Sequence, residues 1–139
     1  MPEKARAFVD TNVFVYALDD AEPDKRDRAR SLLAEEHEAA VVSTQVLGEL
    51  YVTATRKLEK PLRKAEAREA ISWLSELPVV AVDAGLVDRA AEISDLSQLS
   101  YWDGLIIAAA ESSGCERLLS EDLSDGQVIA GVRIENPFA

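Results

Sequence analysis

The sequence predicts an α/β fold: a three-layer sandwich with helices on both faces of a central, mostly parallel, five-stranded sheet. Three observations predict this class. Short apolar runs alternate along the chain with longer segments of helical periodicity, the pattern of strands joined by helices. The connecting segments are long enough for right-handed crossovers. The chain has 139 residues, 47% of them hydrophobic, which is typical of a single domain spanning residues 1–139.

The first half of the chain is predicted to hold two strands and three helices. A short apolar run ends at the polar residue Asp10, as expected of a strand that leads into a helix. Apolar side chains then recur at helical spacing in two long segments, and a second apolar run, AAVVS, separates them. The predicted elements are a strand at 6–9, a helix opening at 13–18, a helix at 24–38, a strand at 39–43 and a helix at 44–58.

Prolines and a glycine delimit the elements of the second half. Pro61 ends the preceding helix and Pro78 introduces a strand, because proline cannot donate a backbone hydrogen bond. A nearly all-apolar helix ends before Gly114, a residue suited to a helix C-cap. The predicted elements are a helix at 62–77, a strand at 79–82, helices at 83–96 and 100–113, a strand at 117–120 and a short strand at 132–135.

The charge of the chain is strongly and unevenly negative. The net charge is −11, and residues 69–139 carry only 3 Lys and Arg against 13 Asp and Glu. Acidic proteins bind nucleic acid poorly unless cations intervene, because neutralising phosphates supplies most of the non-specific affinity. Ten of the 15 Lys and Arg lie in two segments, 25–30 and 56–68, which are either a footprint for RNA or ordinary solvated helix faces.

Composition also bears on the cellular compartment. The single cysteine, Cys115, excludes an intramolecular disulfide, which fits a reducing environment. The longest plainly apolar stretch, 105–110, is far too short to span a bilayer, and we see no signal peptide or lipidation motif. We therefore expect a cytoplasmic protein that is not bound to membranes.

Five acidic residues fall where the predicted fold would place a site. In open α/β sheets, ligands bind beyond the carboxyl ends of the strands. One acid follows the first strand, one lies in the helix after the second strand, one lies in the first turn of the apolar helix, and two follow the fourth strand. In chain order these residues are Asp10, Glu49, Asp103, Asp122 and Asp125.

Each of these acids also has a purely structural explanation. Asp10 could cap the helix that follows it. Glu49 could be an ordinary solvated glutamate, and Asp103 could close a capping box with Ser100. The last two acids lie in the turn-rich segment SEDLSDG, where aspartate is common.

The combination of acids points to a divalent cation. Crowded carboxylates repel and raise each other's pKa, so a fold retains such a cluster when a positive charge fills it. Oxygen ligands indicate Mg²⁺ or Mn²⁺. Zinc is disfavoured because His37 and Cys115 are the only histidine and cysteine, and we expect His37 on the helix surface.

A hydrolytic mechanism on phosphate follows from this site. One or two bound ions would hold phosphate oxygens, lower the pKa of a bound water and stabilise the leaving oxygen. Glu49 or Asp125 could accept the proton of the water. Polar neighbours could orient the ligands or the scissile phosphate, and the candidates are Thr11, Asn12 and Ser120.

Four motifs together resemble the PIN-domain ribonucleases, and they run over almost the whole chain. They are FVDTNV at 8–13, STQVLGEL at 43–50, YWDGLIIAAA at 101–110 and LLSEDL followed by Asp125-Gly126 at 118–126. Residues 132–138 are similar to the closing strand of the family. Any one of these motifs is weak, but four in the right order at compatible spacing are a strong signal.

The resemblance implies a PIN-like fold with strand order 3-2-1-4-5 and Mg²⁺- or Mn²⁺-dependent cleavage of RNA. Chain length and motif style are most similar to VapC-type toxins of type II toxin–antitoxin modules. That implies a homodimer and a cognate antitoxin that presents a basic side chain to the acidic pocket. The metal ligands implied are Asp10, Asp103, Asp122 and Glu49, with Asp125 as a further acid of the catalytic set.

Other functions remain as alternatives. A PIN fold could bind a protein or RNA partner without cutting it, and a DNA or flap nuclease would use the same acids. A dehalogenase-type phosphatase would need an acid where Asn12 stands. A receiver domain would need a lysine after the last strand, where the sequence is ENP, and a calcium loop would need an oxygen ligand at Leu123.

Overall fold

A computed structural model describes residues 5–139 and shows a mixed sheet flanked by helices. The strands are β1 (Ala7–Val9), β2 (Ala40–Ser43), β3 (Val79–Val80), β4 (Arg117–Leu119), β5 (Val128–Ile129) and β6 (Val132–Glu135). The helices are α1 (Thr11–Leu18), α2 (Pro23–Glu36), α3 (Thr44–Arg56), α4 (Lys64–Leu74), α5 (Ala84–Ser97) and α6 (Tyr101–Ser112). The first four residues of the predicted domain lie outside the described part.

The sheet confirms the predicted α/β class. Its strand order is β3-β2-β1-β4-β6-β5, and every neighbouring pair from β3 to β6 is parallel. The five parallel strands reproduce the expected order 3-2-1-4-5. The strand order reverses direction along the chain beside β1 and β4, and the carboxyl ends of these strands are therefore where a ligand site is expected.

A sixth strand, β5, was not expected from the sequence. It spans two residues and pairs antiparallel with β6 at the edge of the sheet. The hairpin between them turns through Ala130 and Gly131, whose φ angles are 51° and 79°. Two consecutive positive φ angles make the tight turn that hairpins favour, but alanine rarely adopts this conformation. The Ala-Gly pair therefore carries none of the usual sequence signal for a hairpin.

The core surrounds the central strands and helix α6. Phe8 on β1, Leu118 on β4 and Ile107 on α6 are completely buried. Every residue of α6 from 104 to 110 is buried, which explains why this helix is apolar on all sides. The other helices pack as neighbours, with α5 on α6, α1 on α2 and α3, and α3 on α4.

Two helical glycines have opposite packing, which gives a first prediction. A Cβ on Gly104 of α6 would lie 2.6 Å from the carbonyl oxygen of Ala90 in α5, whereas a Cβ on Gly48 of α3 would meet nothing within 4 Å. Gly104→Ala is expected to lower the free energy of unfolding by about 1–3 kcal/mol through overpacking. Gly48→Ala is the matched control and should raise it by about 0.5–1 kcal/mol, because alanine is the better helix former. Urea denaturation measures both, and equal losses would contradict the packing explanation.

Helix α2 buries a charged residue that its sequence did not indicate. His37 is exposed, as expected, but its neighbour Glu36 is buried and forms an ion pair with Arg117 of β4 at 2.6 Å. The pair joins the end of α2 to the sheet. Over residues 5–139, no helix combines the length and the apolar character needed to cross a membrane.

Candidate active site

Asp10 lies at the carboxyl end of β1, at the centre of the candidate site. Its backbone N–H donates to the carbonyl of Leu119 on the adjacent strand β4 at 3.0 Å. Its side chain caps α1 by accepting from the N–H of Thr11 at 2.7 Å, so the helix begins two residues before the predicted start. The other carboxylate oxygen accepts from the Ser120 hydroxyl at 2.8 Å. The capping explanation therefore holds, and it leaves the carboxylate fixed at the strand end.

The environment of Asp10 favours its neutral form. The side chain is 5% exposed, and burial is the main reason that its pKa rises from 3.8 to about 6. Hydrogen bonds from Ser120 and Thr11 oppose the rise, and the charges of Asp122 and Glu49 add to it. The charges that act on Asp10 thus come from distant parts of the chain, although burial contributes more to the shift than they do.

The Glu49 carboxylate is positioned by hydrogen bonds from two side chains. Its Oε2 accepts from the Thr11 hydroxyl at 2.9 Å, and its Oε1 accepts from Gln45 Nε2 at 2.8 Å, one helical turn earlier in α3. Gln45 Nε2 also donates to the carbonyl of Trp102 at 3.3 Å. Glu49 is thus not a freely solvated glutamate, because it is positioned from both α1 and α3.

The segment after β4 contributes Asp122, the third candidate carboxylate. The backbone N–H of Asp122 donates to the Ser120 hydroxyl at 3.1 Å, so one serine contacts both Asp10 and the Asp122 backbone. Asn12 Oδ1 accepts from the N–H of Glu121 at 3.4 Å. Within residues 5–139, Asn12 Nδ2 is buried and has no hydrogen-bond partner, which leaves one donor available beside the acids.

Asp103 stands at the start of α6, beside this group. Its backbone N–H donates to the Ser100 hydroxyl at 3.1 Å, which confirms the capping role predicted for Ser100, and the Asp103 side chain is half-buried. The contact of Gln45 with the carbonyl of Trp102 connects this turn to the Glu49 helix.

Asp125 has a different environment. It is exposed, and its Oδ1 accepts from the backbone N–H of Asn136 at 2.8 Å, which holds the loop after β4 against the chain that follows β6. Its carboxylate therefore has a structural partner. The structure does not place it among the residues that line the acidic cavity.

An open cavity of about 380 Å³ is lined by two of the candidate acids, Glu49 and Asp122, whereas Asp10 and Asp103 are not among its lining residues. Its lining residues come from α1, α3 and the segment after β4, and they are Thr11, Asn12, Val15, Tyr16, Asp19, Glu49, Thr53, Leu58 and Asp122. The sequence did not single out Asp19, a buried acid at the C-terminus of α1 whose Oδ1 accepts from the N–H of Ala21. Nor did it single out Gln45, which lies within the second motif.

A neighbouring cluster of side chains binds Glu121, so this acid is not part of the candidate site. Glu121 accepts hydrogen bonds from the Tyr16 hydroxyl at 2.7 Å and from Lys25 Nζ at 3.1 Å. Lys25 Nζ also lies 4.6 Å from the centre of the Tyr16 ring. Burial and the Glu121 contact raise the pKa of Tyr16. Glu121 is therefore paired with a cation, whereas the adjacent residue Asp122 lines the acidic cavity.

The donor set suits a hard divalent cation. The side chains around the ends of β1 and β4 are carboxylates, hydroxyls and an amide, whose oxygens are the ligand chemistry of Mg²⁺ and Mn²⁺. In the described range 5–139, however, no three His, Cys, Asp or Glu side chains are already grouped closely enough to hold an ion.

Comparison with known proteins defines the class of this chain. A model of the PIN-domain family matches residues 7–124, and the chain belongs to that family. No curated protein sequence is significantly similar to it.

Solved structures of toxin–antitoxin systems share the fold. The chain resembles a toxin–antitoxin complex from Klebsiella pneumoniae (TM-score 0.72, 19% identity, covering 95% of this chain and 98% of that chain). It also resembles VapC20 of Mycobacterium tuberculosis, described as a toxin that cleaves the sarcin–ricin loop (TM-score 0.69, 26% identity, 91% and 98% covered). A third similar structure is DNA-bound VapBC from Salmonella typhimurium (TM-score 0.68, 21% identity, 96% and 99% covered).

Proposed function

We propose that this protein is a metal-dependent endoribonuclease and the toxin of a toxin–antitoxin pair. The observation that carries the proposal is geometric: in a PIN-domain chain, Asp10 at the end of β1 is bound by Ser120 and Thr11, which in turn contact the Asp122 backbone and the Glu49 carboxylate. Its likeness to VapC20, a toxin that cleaves the sarcin–ricin loop, supports RNA as the substrate.

The residues divide into two roles. Asp10, Glu49, Asp103 and Asp122 would hold Mg²⁺ or Mn²⁺. When bound, the ion supplies a water of lowered pKa and stabilises charge on the phosphate oxygens. Ser120 fixes the orientation of Asp10, and Thr11 fixes that of Glu49. Asn12 keeps an unused amide donor at the cavity, which suits a phosphate oxygen.

The test of this function is cleavage of structured RNA with Mg²⁺ or Mn²⁺ and with EDTA. We expect cutting only with the ion, and the activity should return when the ion is restored after EDTA. Metal-independent RNA binding without cleavage would instead favour a non-catalytic binding module. Cleavage of DNA but not RNA would show a different nuclease.

A second surface supports an antitoxin as the partner. An open apolar groove of about 440 Å³ lies between α1, α2 and α4. Trp73 of α4 borders it and is 67% exposed, and Glu66 and Glu69 give it an acidic rim. A groove of this kind fits the apolar face of a helix whose polar face is basic. The antitoxin complexes among the similar structures agree with this kind of partner.

Replacing Trp73 by alanine tests the antitoxin surface. An exposed tryptophan that lines an apolar groove is typical of a binding hot spot, and its loss should weaken binding at least about 30-fold. The partner to test is a short reading frame's product, where one adjoins this gene, with affinity measured by calorimetry. Leu96→Ala on α5, which also removes an exposed apolar side chain, is the control and should bind normally. If the original chain, Trp73→Ala and Leu96→Ala bind this partner equally well, the groove is not the antitoxin-binding surface.

The same resemblance leads us to infer a homodimer in the cytoplasm. Light scattering of the purified chain measures the mass directly. A monomer at the concentrations used for cleavage would contradict the dimer without affecting the nuclease assignment.

A further inference from the structure

A second groove adjoins the acidic cavity and has no role in the site described so far. It has a volume of about 620 Å³ and opens between α3 and the first turn of α6. Its lining residues are Gln45, Gly48, Glu49, Val52, Thr53, Lys57 and Trp102. Glu49 and Thr53 line both this groove and the acidic cavity. The groove and the acidic cavity are therefore continuous. We call the second groove, lined by the residues above, the α3 groove.

An exposed aromatic ring borders the α3 groove. Trp102 is 62% exposed although α6 is buried from residue 104 to residue 110. The ring contacts Tyr101 edge-on with 5.0 Å between ring centres, and the backbone carbonyl of Trp102 accepts a hydrogen bond from Gln45. A large, solvent-facing indole has the properties of a stacking platform for a flat ligand.

The floor of the α3 groove is kept open by a glycine. Gly48 lies inside α3, where glycine is a poor helix former, and a Cβ there would touch nothing within 4 Å. Gly104, by contrast, is required by the close approach of α5. Packing within this chain therefore does not explain Gly48, whereas an occupant lying along α3 would.

The charges of the α3 groove change along its length. Next to the acidic cavity it presents Glu49, and on the side of the α3 C-terminus it presents Lys57, an exposed cation. A strand of RNA whose scissile phosphate lies at the acids would place its neighbouring nucleotide over this groove. The nucleobase would then meet Trp102, and a flanking phosphate would meet Lys57.

From this arrangement we propose that the α3 groove is a subsite for an unpaired nucleotide of the RNA substrate, with its base stacked on Trp102 and Gly48 providing the space. The proposal rests on the ribonuclease function proposed above. It implies that the substrate is cut next to a single-stranded nucleotide, because a paired base would first need unpairing and unstacking energy to reach the indole, whereas an unpaired base would not.

Binding of short mixed-sequence single-stranded RNA tests the subsite. The reference is the full chain with Asp10→Asn in Mg²⁺, so that RNA binds without being cut, and fluorescence anisotropy gives the affinity. Trp102→Ala should weaken binding by about 5- to 100-fold, and Trp102→Phe should retain most of the affinity because stacking on an aromatic ring persists. Gly48→Gln should weaken binding by filling the groove while leaving the helix at least as stable.

Two controls separate stacking from a change of fold or charge. An RNA backbone of the same length with abasic sites keeps the phosphates but has no bases, and on this probe Trp102→Ala should bind like the reference. Gly85→Gln on α5, where an added Cβ makes only an ordinary contact, should bind mixed-sequence RNA normally. Thermal unfolding of each variant verifies that it is folded.

The outcomes distinguish the subsite from the nuclease function. If the chain cuts RNA but Trp102→Ala and Gly48→Gln bind like the reference, the subsite is wrong and the nuclease stands. If the chain neither cuts nor binds RNA, both are wrong. If light scattering shows that these two variants halve the mass of a dimer while affinity per chain is unchanged, the groove belongs to a second copy, and the subsite is again overturned.

Discussion

Replacing Asp10 by asparagine is expected to lower RNA cleavage about a thousandfold. Asp10 is the most buried of the candidate ligands and is held by Thr11 and Ser120. Asparagine keeps the shape but removes the charge that would bind the cation. Losing several kcal/mol of charge stabilisation corresponds to this change in rate. Initial rates of RNA cleavage in saturating Mg²⁺ measure the effect.

The same variant should remain folded, and a surface control excludes a general charge effect. Removing a buried, repelled carboxylate relieves strain, so the metal-free variant should be at least as stable as the original chain at pH 7. Asp88→Asn makes the same charge change at an exposed position of α5 and should leave the cleavage rate unchanged. Full activity in Asp10→Asn would exclude Asp10 as a ligand.

Asp10 also makes the stability of the metal-free protein depend on pH. Its pKa is raised by the fold from 3.8 to about 6, so the native state binds the proton more tightly than the unfolded state. The stability contributed by the neutral carboxyl is complete below pH 4 and is lost as pH rises to about 6, by about 2–3 kcal/mol. Denaturation in EDTA should show this loss in the original chain relative to Asp10→Asn. A constant difference between the two chains across this range would contradict the raised pKa.

Replacing Arg117 by methionine is expected to lower the free energy of unfolding by about 3–5 kcal/mol. The guanidinium is 12% exposed and donates to Glu36 Oε2 at 2.6 Å and to the carbonyl of Ala5 at 2.7 Å. It also lies 3.6 Å from a carboxylate oxygen of Glu135. Removing it takes the cation away from a buried carboxylate, which is the costly way to break an ion pair. Guanidinium denaturation measures the loss.

Two further variants identify the origin of that loss. The double change of Glu36→Gln with Arg117→Met removes both charges and should be distinctly more stable than Arg117→Met alone. Arg63→Ala breaks an exposed ion pair with Glu66, in which the side chains are 81% and 45% exposed, and should change stability by less than about 1 kcal/mol. Similar losses for the buried and the exposed pair would contradict a role for burial.

Secondary structure and site position were predictable because both depend on local pattern. Helical spacing identified α3, and the uninterrupted apolar run identified α6, since these periodicities record which side chains face the core. The acids could be placed because they follow strands, and parallel strands end at one edge of the sheet. The capping roles of Asp10 and Ser100 were among the explanations that the sequence offered, because a cap acts within three residues of its own position.

The features that the sequence left open depend on contacts between distant residues. Thr11 and Ser120 were predicted to orient ligands, but their partners were not, because the bond from Ser120 to Asp10 spans 110 positions in the chain and that from Thr11 to Glu49 spans 38. The burial of Glu36 follows from where Arg117 emerges on β4. The hairpin strand β5 lacks the usual turn residues, and its pairing is created by the neighbouring strand β6.

By itself the sequence determined the fold class and the acids that end the strands, because hydrophobic periodicity and strand ends are local properties; the order of the five parallel strands came from the resemblance of its motifs to PIN domains. Only the tertiary structure decided which side chains hold Asp10 and Glu49, that Glu36 is buried with a cation, and that Gly48 leaves space whereas Gly104 permits contact. The physical reason is that pKa values, burial and free space are set by neighbours across the fold, whose positions no local pattern encodes.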